Sequence, residues 1–401
     1  MIPVAEAIRI VSEQTPILSR ETVELRMALG RVLAEDILAD SDLPPFDRSQ
    51  MDGYAVRASD VQDTPSRLHL VGESAAGKGW HQEMRAGQAV RIMTGAPVPA
   101  GADSVQQVEL TRETNGFVEI LEQVEFGRSI VKRGSEIKKG ERVLESGTEL
   151  NAPMMAVLAS FGYAQVRVGR QPRVAVLATG SELVHVDQKP GVDQIRDSNN
   201  FSIGAFAERA GAVVNLLPLA GDDTALLKKQ IAQAANESDM VITSGGVSMG
   251  VYDFTKDALK EIGAELFFER VALRPGKPTV FARIPGGPLV FGLPGNPVSV
   301  SVTFNLFGRT AIRIMQGARV TEMVEESGIL VSNIKGAHER ESFLPAQVKT
   351  NEMGQLLVEP LKWGGSSDFV AFAKATALII IPADVKVVEA GSIVKIVRLP
   401  A

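Results

Sequence analysis

The pattern of hydrophobic and polar residues changes character along this chain of 401 residues. Between residues 171 and 318, short apolar runs such as 174–178 alternate with segments of helical spacing. This alternation predicts a doubly wound, mostly parallel sheet that is covered by helices on both faces. Residues 66–145 and the chain after residue 320 instead carry short β-type runs between glycines, which predicts two β modules.

The remaining N-terminal segments mix helical spacing at residues 3–13 with short extended pieces. We interpret residues 1–44 and 140–170 as one discontinuous linker domain of mixed structure, with a β-rich module at residues 45–139 inserted into it. Residues 171–318 would then form the α/β domain, and residues 319–401 a small C-terminal β-barrel. The predicted fold class is therefore multidomain α/β.

Composition narrows the classes of function. The chain is 45% hydrophobic and 22% charged, as expected of a soluble globular protein, and it has no apolar run long enough for a membrane span. A net charge of −6 argues against a nucleic-acid partner. Having no cysteine excludes disulfides and thiolate metal sites, and four histidines make a His-rich zinc centre improbable. We expect a cytoplasmic protein, since no signal peptide is recognisable at the N-terminus.

The first candidate site is the sequence Ile-Thr-Ser-Gly-Gly-Val-Ser-Met-Gly at residues 242–250. It follows an apolar run and precedes a segment of helical spacing, which predicts a strand, a glycine turn and a helix. Gly245 and Gly246 permit backbone conformations that other residues avoid, and Ser244 and Ser248 add hydroxyl groups. Free N–H groups at the start of a helix favour an anion, so we interpret the loop as a phosphate cradle.

Charged residues of both signs recur at the predicted strand ends. Carboxylates near a phosphate usually hold Mg²⁺, and lysine or arginine beside backbone N–H groups suits oxyanions. Loops at the carboxyl ends of parallel strands meet at one edge of a sheet, so the two sets would lie together. The acidic candidates are Glu182, Asp222 or Asp223, and Asp253; the basic candidates are Arg270, Arg274 and Lys277.

Six motifs follow one another between residues 45 and 300. They are Pro-Phe-Asp-Arg-Ser-Gln-Met-Asp-Gly-Tyr-Ala-Val (45–56), Thr-Gly-Ala-Pro-Val-Pro-Ala-Gly-Ala-Asp (94–103), Ala-Thr-Gly-Ser-Glu-Leu (178–183), Ser-Gly-Gly-Val-Ser (244–248), Arg-Pro-Gly-Lys-Pro (274–278) and Gly-Leu-Pro-Gly-Asn-Pro-Val (292–298). Together, and in this order, they resemble the molybdopterin molybdenumtransferases (MoeA proteins), a family that includes the C-terminal domain of gephyrin. With the domain order, the resemblance covers the whole chain.

The resemblance implies an activity in molybdenum cofactor biosynthesis. Family members take adenylylated molybdopterin and molybdate as substrates, hydrolyse the adenylate with a divalent cation such as Mg²⁺, insert molybdenum at the dithiolene and release AMP. The central domain would be of the molybdopterin-binding type. The family forms an elongated homodimer in which the β module of one subunit reaches the central sheet of the other. We therefore expect an active site that is shared between two subunits. We also expect contact with the molybdopterin adenylyltransferase.

The resemblance also assigns residues, position by position. The catalytic acids would be Asp52, Glu136, Glu182, Asp222 and Asp253, of which Glu182, Asp222 and Asp253 would hold the metal. Substrate would be bound by Thr94, Ser244, Gly245, Gly246, Ser248, Pro294, Gly295, Asn296 and Pro297. Molybdate or another oxyanion would be bound by Arg270, Arg274, Lys277, Arg340 and Ser366. The sequence departs from the family at three positions. Family members often have Asp where this chain has Glu136, and Lys where it has Arg270 and Arg274.

Two alternatives remain open at this point. A molybdopterin adenylyltransferase shares the Ser-Gly-Gly type of domain but would not need the motifs around Asp52 and Thr94. A gephyrin-like scaffold shares the fold but would not need acids at the strand ends. The choice between Asp222 and Asp223, and between molybdate and tungstate, also stays open.

Overall fold

The computed structural model describes residues 1–221, 223–246, 254–337 and 339–399. Two compact units are present. The large unit comprises Met1–Glu35, Ser146–Ala152 and Gln165–Ala401, and the small unit comprises Asp36–Glu145 and Pro153–Ala164. The domain boundaries expected from the sequence stay predictions. None of the described helices has the length and apolarity that crossing a membrane requires.

A six-stranded sheet forms the centre of the large unit. Its first three strand pairings are parallel and the last two are antiparallel, so the prediction of a mostly parallel sheet is confirmed. From one edge to the other, the strands are Val213–Leu216, Arg173–Ala178, Met240–Ser244, Leu289–Leu293, Val280–Arg283 and Glu265–Phe268. The connecting helices are Asn199–Arg209, Thr224–Ala235, Phe254–Glu261 and Pro297–Thr303.

Both faces of this sheet are covered, which explains why its strands are continuous apolar runs. Successive side chains of a strand point to opposite faces. Val174 therefore packs with Ile203 in one buried cluster, while Ala175 packs with Leu259 in another. Helices thus lie on both sides of the sheet, and the predicted doubly wound arrangement is confirmed.

The N-terminal segment belongs to the large unit. Helix Val4–Gln14 buries Val4, Ala7 and Val11 in the same cluster as the helix Arg309–Met315, which follows a π-helical turn at Phe304–Gly308. Strand Arg20–Glu24 pairs antiparallel with Gln165–Gly169. The sequence did not predict which domain this helix packs against.

The C-terminal strands close into a barrel, as predicted. The pairings run in a ring, from Glu341–Thr350 through Leu356–Pro360, Glu325–Leu330, Ile393–Arg398 and Ala377–Ile381 back to Glu341–Thr350. A two-residue strand, Leu273–Arg274, pairs in parallel with the start of strand Glu341–Thr350. The shorter elements of the large unit are Leu25–Met27, Leu183–Val184, Ile195–Arg196, Ile334–Lys335, Phe369–Phe372 and Val387–Val388.

The small unit contains the predicted β module. Its main sheet has six strands, in the order Ser104–Gln107, Gly53–Val56, Gln88–Ile92, Ser66–Ser74, Phe117–Ile120 and Thr111–Thr114. Two short ladders accompany it, Arg48–Ser49 with Ile130–Val131 and Ile37–Leu38 with Arg142–Leu144. Its other elements are Ala58–Val61, Val108–Leu110 and most of Ala152–Ser160.

Candidate functional site

A cavity of about 960 Å³ opens within the large unit, between strand-end loops of the central sheet and loops of the barrel. Its lining combines three glycine- and proline-rich loops with basic side chains. From the sheet and its loops it includes Thr179, Gly180, Glu182, Gly245, Gly246, Arg274, Lys277, Pro294, Gly295 and Asn296, and from the barrel Lys335, Arg340, Trp363 and Ser366. This cavity brings together ten of the residues that the sequence assigned to the site.

The glycine loop follows strand Met240–Ser244. Gly245 and Gly246 have φ angles of 89° and 64°, which side chains other than glycine rarely adopt. A Cβ atom at Gly246 would also lie 2.9 Å from the Thr255 hydroxyl oxygen. The Gly245 N–H donates to the carbonyl oxygen of Leu293 over 3.1 Å, so the loop is held to the end of the next strand. Ser248 lies outside the described residues.

Asn199, which sequence reasoning missed, joins two of these loops from beneath. Its side-chain N–H groups donate to the Ser244 hydroxyl oxygen over 2.9 Å and to the Gly295 carbonyl oxygen over 2.8 Å. Ser244 is only 1% exposed, so its hydroxyl faces Asn199 and not the cavity. The assignment of Ser244 to substrate binding remains a prediction.

The basic side chains of the cavity are available to an anion. Arg274, Lys277 and Arg340 all line the cavity, and none of them forms an ion pair within the part of the chain that the structure describes. Among the described residues, the Arg274 guanidinium donates a single long hydrogen bond, of 3.4 Å, to the Gly336 carbonyl oxygen. Unpaired cations around a cavity favour oxyanions, and a guanidinium can bind one through two hydrogen bonds. Arg270 is exposed and does not line this cavity.

The loop after strand Leu289–Leu293 is connected to the barrel. The Asn296 side chain donates to the Ser366 hydroxyl oxygen over 2.8 Å, and the Val298 N–H donates to the Ser366 carbonyl oxygen over 3.0 Å. Pro297 begins the following helix and lies outside the cavity lining. Ser366 therefore positions this loop from the barrel side.

Glu182 is the single carboxylate of the cavity lining among the described residues. Asp222 and Asp253 lie outside them. The alternative acid, Asp223, caps helix Thr224–Ala235 by accepting hydrogen bonds from the N–H groups of Ala225 and Leu226. Within the described ranges no three acidic or histidine side chains are grouped to hold a metal. One carboxylate beside a phosphate site nevertheless fits Mg²⁺, which commonly binds through one or two carboxylates together with substrate phosphates.

In the small unit, Asp52 and Thr94 lie in direct contact. The Thr94 N–H and hydroxyl donate to one carboxylate oxygen of Asp52 over 2.7 Å and 3.0 Å. These two hydrogen bonds stabilise the ionised form and lower the pKa of Asp52. Asp52 is thus an ionised, exposed carboxylate with a defined orientation.

Glu136 lies beside the same loops of the small unit. Its carboxylate pairs with the Arg48 guanidinium at 3.3 Å. The strand of Arg48 is held to the loop of Thr94, because the Gly95 N–H donates to the Ser49 carbonyl oxygen over 2.8 Å and the Ser49 N–H to that of Ala96 over 3.0 Å. The exposed side chains of Asp52, Thr94 and Glu136 therefore lie on loops of the small unit that contact one another.

Comparisons with known proteins cover nearly the whole chain. Three family models match consecutive segments: MoeA N-terminal region (domain I and II) at residues 2–162, probable molybdopterin binding domain at residues 175–314, and MoeA C-terminal region (domain IV) at residues 327–399.

Curated relatives and solved structures agree with these models. A molybdopterin molybdenumtransferase of Haemophilus influenzae is 38% identical over 96% of this chain and 95% of its own length. One from Bacillus subtilis is 37% identical over 99% of this chain and 94% of its own. The structure of a molybdopterin biosynthesis moeA protein from Pyrococcus horikoshii OT3 has a TM-score of 0.87 and 30% identity, over 100% of both chains. This chain belongs to the molybdopterin molybdenumtransferase (MoeA) family.

Proposed function

We propose that this chain transfers molybdenum from molybdate to adenylylated molybdopterin and releases AMP. Membership of the family supports this reaction, since its curated relatives are named for it. The observation that carries the proposal is the cavity in which Arg274, Lys277 and Arg340 surround a glycine loop without ion-pair partners among the described residues. Both substrates are anionic, and such a cavity suits two anions bound side by side.

The side chains of the cavity have separable roles in this proposal. Gly245 and Gly246 lack side chains, so a phosphate can approach their backbone closely. Lys277 presents a single ammonium group, whereas Arg274 and Arg340 can each bind an oxyanion through two N–H groups. Trp363, which also lines the cavity, offers an aromatic surface on which a flat ring could stack.

The proposed divalent cation is Mg²⁺. Glu182 would hold it, together with Asp222 and Asp253 from the sequence assignment. When bound, it would act as a Lewis acid at the phosphate anhydride of the adenylate. The Glu182 carboxylate lies close to the backbone of Gly180, where a residue with a Cβ atom would crowd it.

We further propose a homodimer in which the small unit of one copy completes the cavity of the other. The surface formed by Asp52, Thr94 and Glu136 carries family motifs, yet the cavity itself is built entirely from the large unit. A role for Asp52 in catalysis therefore requires that the small unit of some copy meets the cavity. A symmetric dimer provides two such sites.

Two finer proposals concern the setting of the reaction. We propose that the protein is cytoplasmic, because a chain without cysteine has no disulfide to maintain and suits a reducing compartment. We also propose direct contact with the molybdopterin adenylyltransferase, since transfer within a complex would keep the adenylate anhydride away from bulk water. Crosslinking of the two purified proteins during turnover, with and without excess unlabelled adenylate, tests that contact.

The proposed activity is tested by the choice of substrate. The chain should release AMP from adenylylated molybdopterin in the presence of molybdate, and should not form adenylate from ATP and molybdopterin. Lys277→Met should weaken the apparent affinity for molybdate at least about tenfold, because a charged hydrogen bond contributes about 1.5–3 kcal/mol. The exposed Lys229 serves as the matched control, and Lys229→Met should leave the activity unchanged. Formation of adenylate from ATP would instead identify an adenylyltransferase.

A further inference from the structure

A second cavity, of about 240 Å³, lies in the large unit and shares no described lining residue with the substrate cavity. Three guanidinium groups line it, those of Arg209, Arg309 and Arg313. Glu149 is the one carboxylate among its described lining residues. Three positive charges against one negative charge leave this cavity with an excess of positive charge.

Arg313 is the most buried of the three arginines, with a side chain that is 8% exposed. One of its terminal nitrogens, Nη2, pairs with Glu149 at 2.8 Å. Its Nε atom is buried and has no hydrogen-bond partner within the described ranges. A buried donor without a partner is costly, so Glu149 satisfies the buried Arg313 guanidinium only in part.

Arg309 lies one helical turn before Arg313, so the two side chains share a helix face. Its Nη1 donates to the carbonyl oxygen of Thr321 over 3.0 Å. Burial, and then repulsion from Arg313, lower the pKa of Arg309, while Glu149 acts in the opposite direction. Glu149 therefore compensates only part of the positive charge.

Arg209 adds a third charge from a different element, as the last residue of helix Asn199–Arg209. Its guanidinium is exposed and makes no hydrogen bond or ion pair with other described residues. The π-helical turn at Phe304–Gly308 directly precedes Arg309 and contributes Asn305 to the lining. Such turns often occur at functional sites in helices.

We propose that this cavity binds a tetrahedral oxyanion of the phosphate or sulfate class, at a site separate from the substrate cavity. Guanidinium groups from two helices can donate several N–H groups to one such ion. Each guanidinium can bind two oxygens of the ion through two parallel hydrogen bonds. The ion would neutralise the excess positive charge of the three guanidinium groups. The proposal does not depend on the reaction assigned to the chain.

Sulfate is the probe for this site, titrated calorimetrically into the full-length protein at low ionic strength. Arg309→Met should weaken the sulfate affinity about tenfold or more, since it removes a charge-assisted donor. Glu149→Gln should strengthen it several-fold, because it removes the competing carboxylate. That gain cannot come from misfolding, so it keeps the test decisive if Arg309→Met folds poorly.

Two control variants separate this site from other anion binding. Arg26→Met removes an exposed arginine that does not line the cavity and should leave sulfate binding unchanged. Lys277→Met alters only the substrate cavity, so it should also leave this binding step unchanged. Sulfate binding that is lost in Lys277→Met but insensitive to Arg309→Met and Glu149→Gln would overturn the proposal, as would no binding at all.

Discussion

Asn199 offers a sharp test of how the substrate cavity is held together. Replacing it by alanine removes two buried donors, to the Ser244 hydroxyl and to the Gly295 carbonyl. Each hydrogen bond contributes about 1 kcal/mol, and leaving the buried Ser244 hydroxyl without a partner costs about 1–3 kcal/mol more. The change also removes the buried Asn199 Oδ1, which has no partner among the described residues, and so relieves a cost of about 1–3 kcal/mol. We therefore expect Asn199→Ala to lower the free energy of unfolding by about 2 kcal/mol.

The same change should also lower the rate of the reaction, because it removes a support shared by two loops of the substrate cavity. Gly245 and Gly295 belong to adjacent loops, since a Cβ atom at Gly295 would lie 3.6 Å from the Gly245 Cα. Without Asn199 the two loops lose their common support, and a misplacement of about 1 Å can cost roughly 100-fold in rate. We expect kcat/KM for AMP release to fall at least about tenfold, as a displaced loop no longer positions the phosphate.

Urea denaturation and steady-state AMP release measure the two effects. Ser202→Ala is the matched control, because Ser202 lies in the same helix and, within the described ranges, its hydroxyl donates only to the Asn199 carbonyl oxygen, over 3.1 Å. It should cost about 1 kcal/mol or less. If Asn199→Ala and Ser202→Ala give the same results in both assays, the hydrogen bonds of Asn199 to the two loops contribute to neither stability nor catalysis. That result would refute the reasoning.

Three further predictions concern charge. Burial raises the pKa of Asp239, but the paired hydrogen bonds of 2.9 Å and 2.8 Å from Arg170 help to bring this pKa below its usual range. The Asp239–Arg170 pair therefore stabilises the fold above about pH 3.9. This stabilisation is lost as the pH falls through the pKa of Asp239 in the folded protein. Asp239→Asn should cost about 2 kcal/mol at pH 7 and progressively less in acid unfolding curves below pH 4; a pH-independent cost would contradict this. Thr94→Val removes one of the two hydrogen bonds to Asp52, so the acid limb of kcat/KM should move to higher pH; an unmoved limb would exclude Asp52 as the ionised group. Mixing Asp52→Ala with Lys277→Met protein after subunit exchange should restore about a quarter of wild-type activity if the site is shared between copies of a symmetric dimer, and none if it is not.

The central sheet was predictable because burial dictates its sequence. The run at residues 173–178 has no polar side chain after Arg173, as a strand covered on both faces requires. The glycine loop was predictable for a related reason, since two adjacent glycines at the end of such a strand indicate a backbone that side chains would obstruct. Local sequence is sufficient for both features.

The contacts that complete the cavity were not predictable in this way. Asn199 binds residues that are 45 and 96 positions away, and only the folded chain brings them together. Arg270 and Arg274 look equivalent in sequence, yet only Arg274, in the short strand at the edge of the barrel, lines the cavity. The cavity lined by three arginines likewise combines segments that are far apart in sequence. The hydrophobic periodicity of each segment predicts a helix with one exposed face, but it does not predict that these faces meet.

The most direct test of the proposed function is a single-turnover assay with adenylylated molybdopterin, Mg²⁺ and increasing molybdate. AMP release and molybdenum bound to the product pterin are followed in the same samples. We expect both to rise together and to saturate with molybdate, and both curves to move to molybdate concentrations at least about tenfold higher in Lys277→Met. AMP release that does not depend on molybdate, or adenylate that binds without being cleaved, would contradict the assignment of a molybdenum transferase.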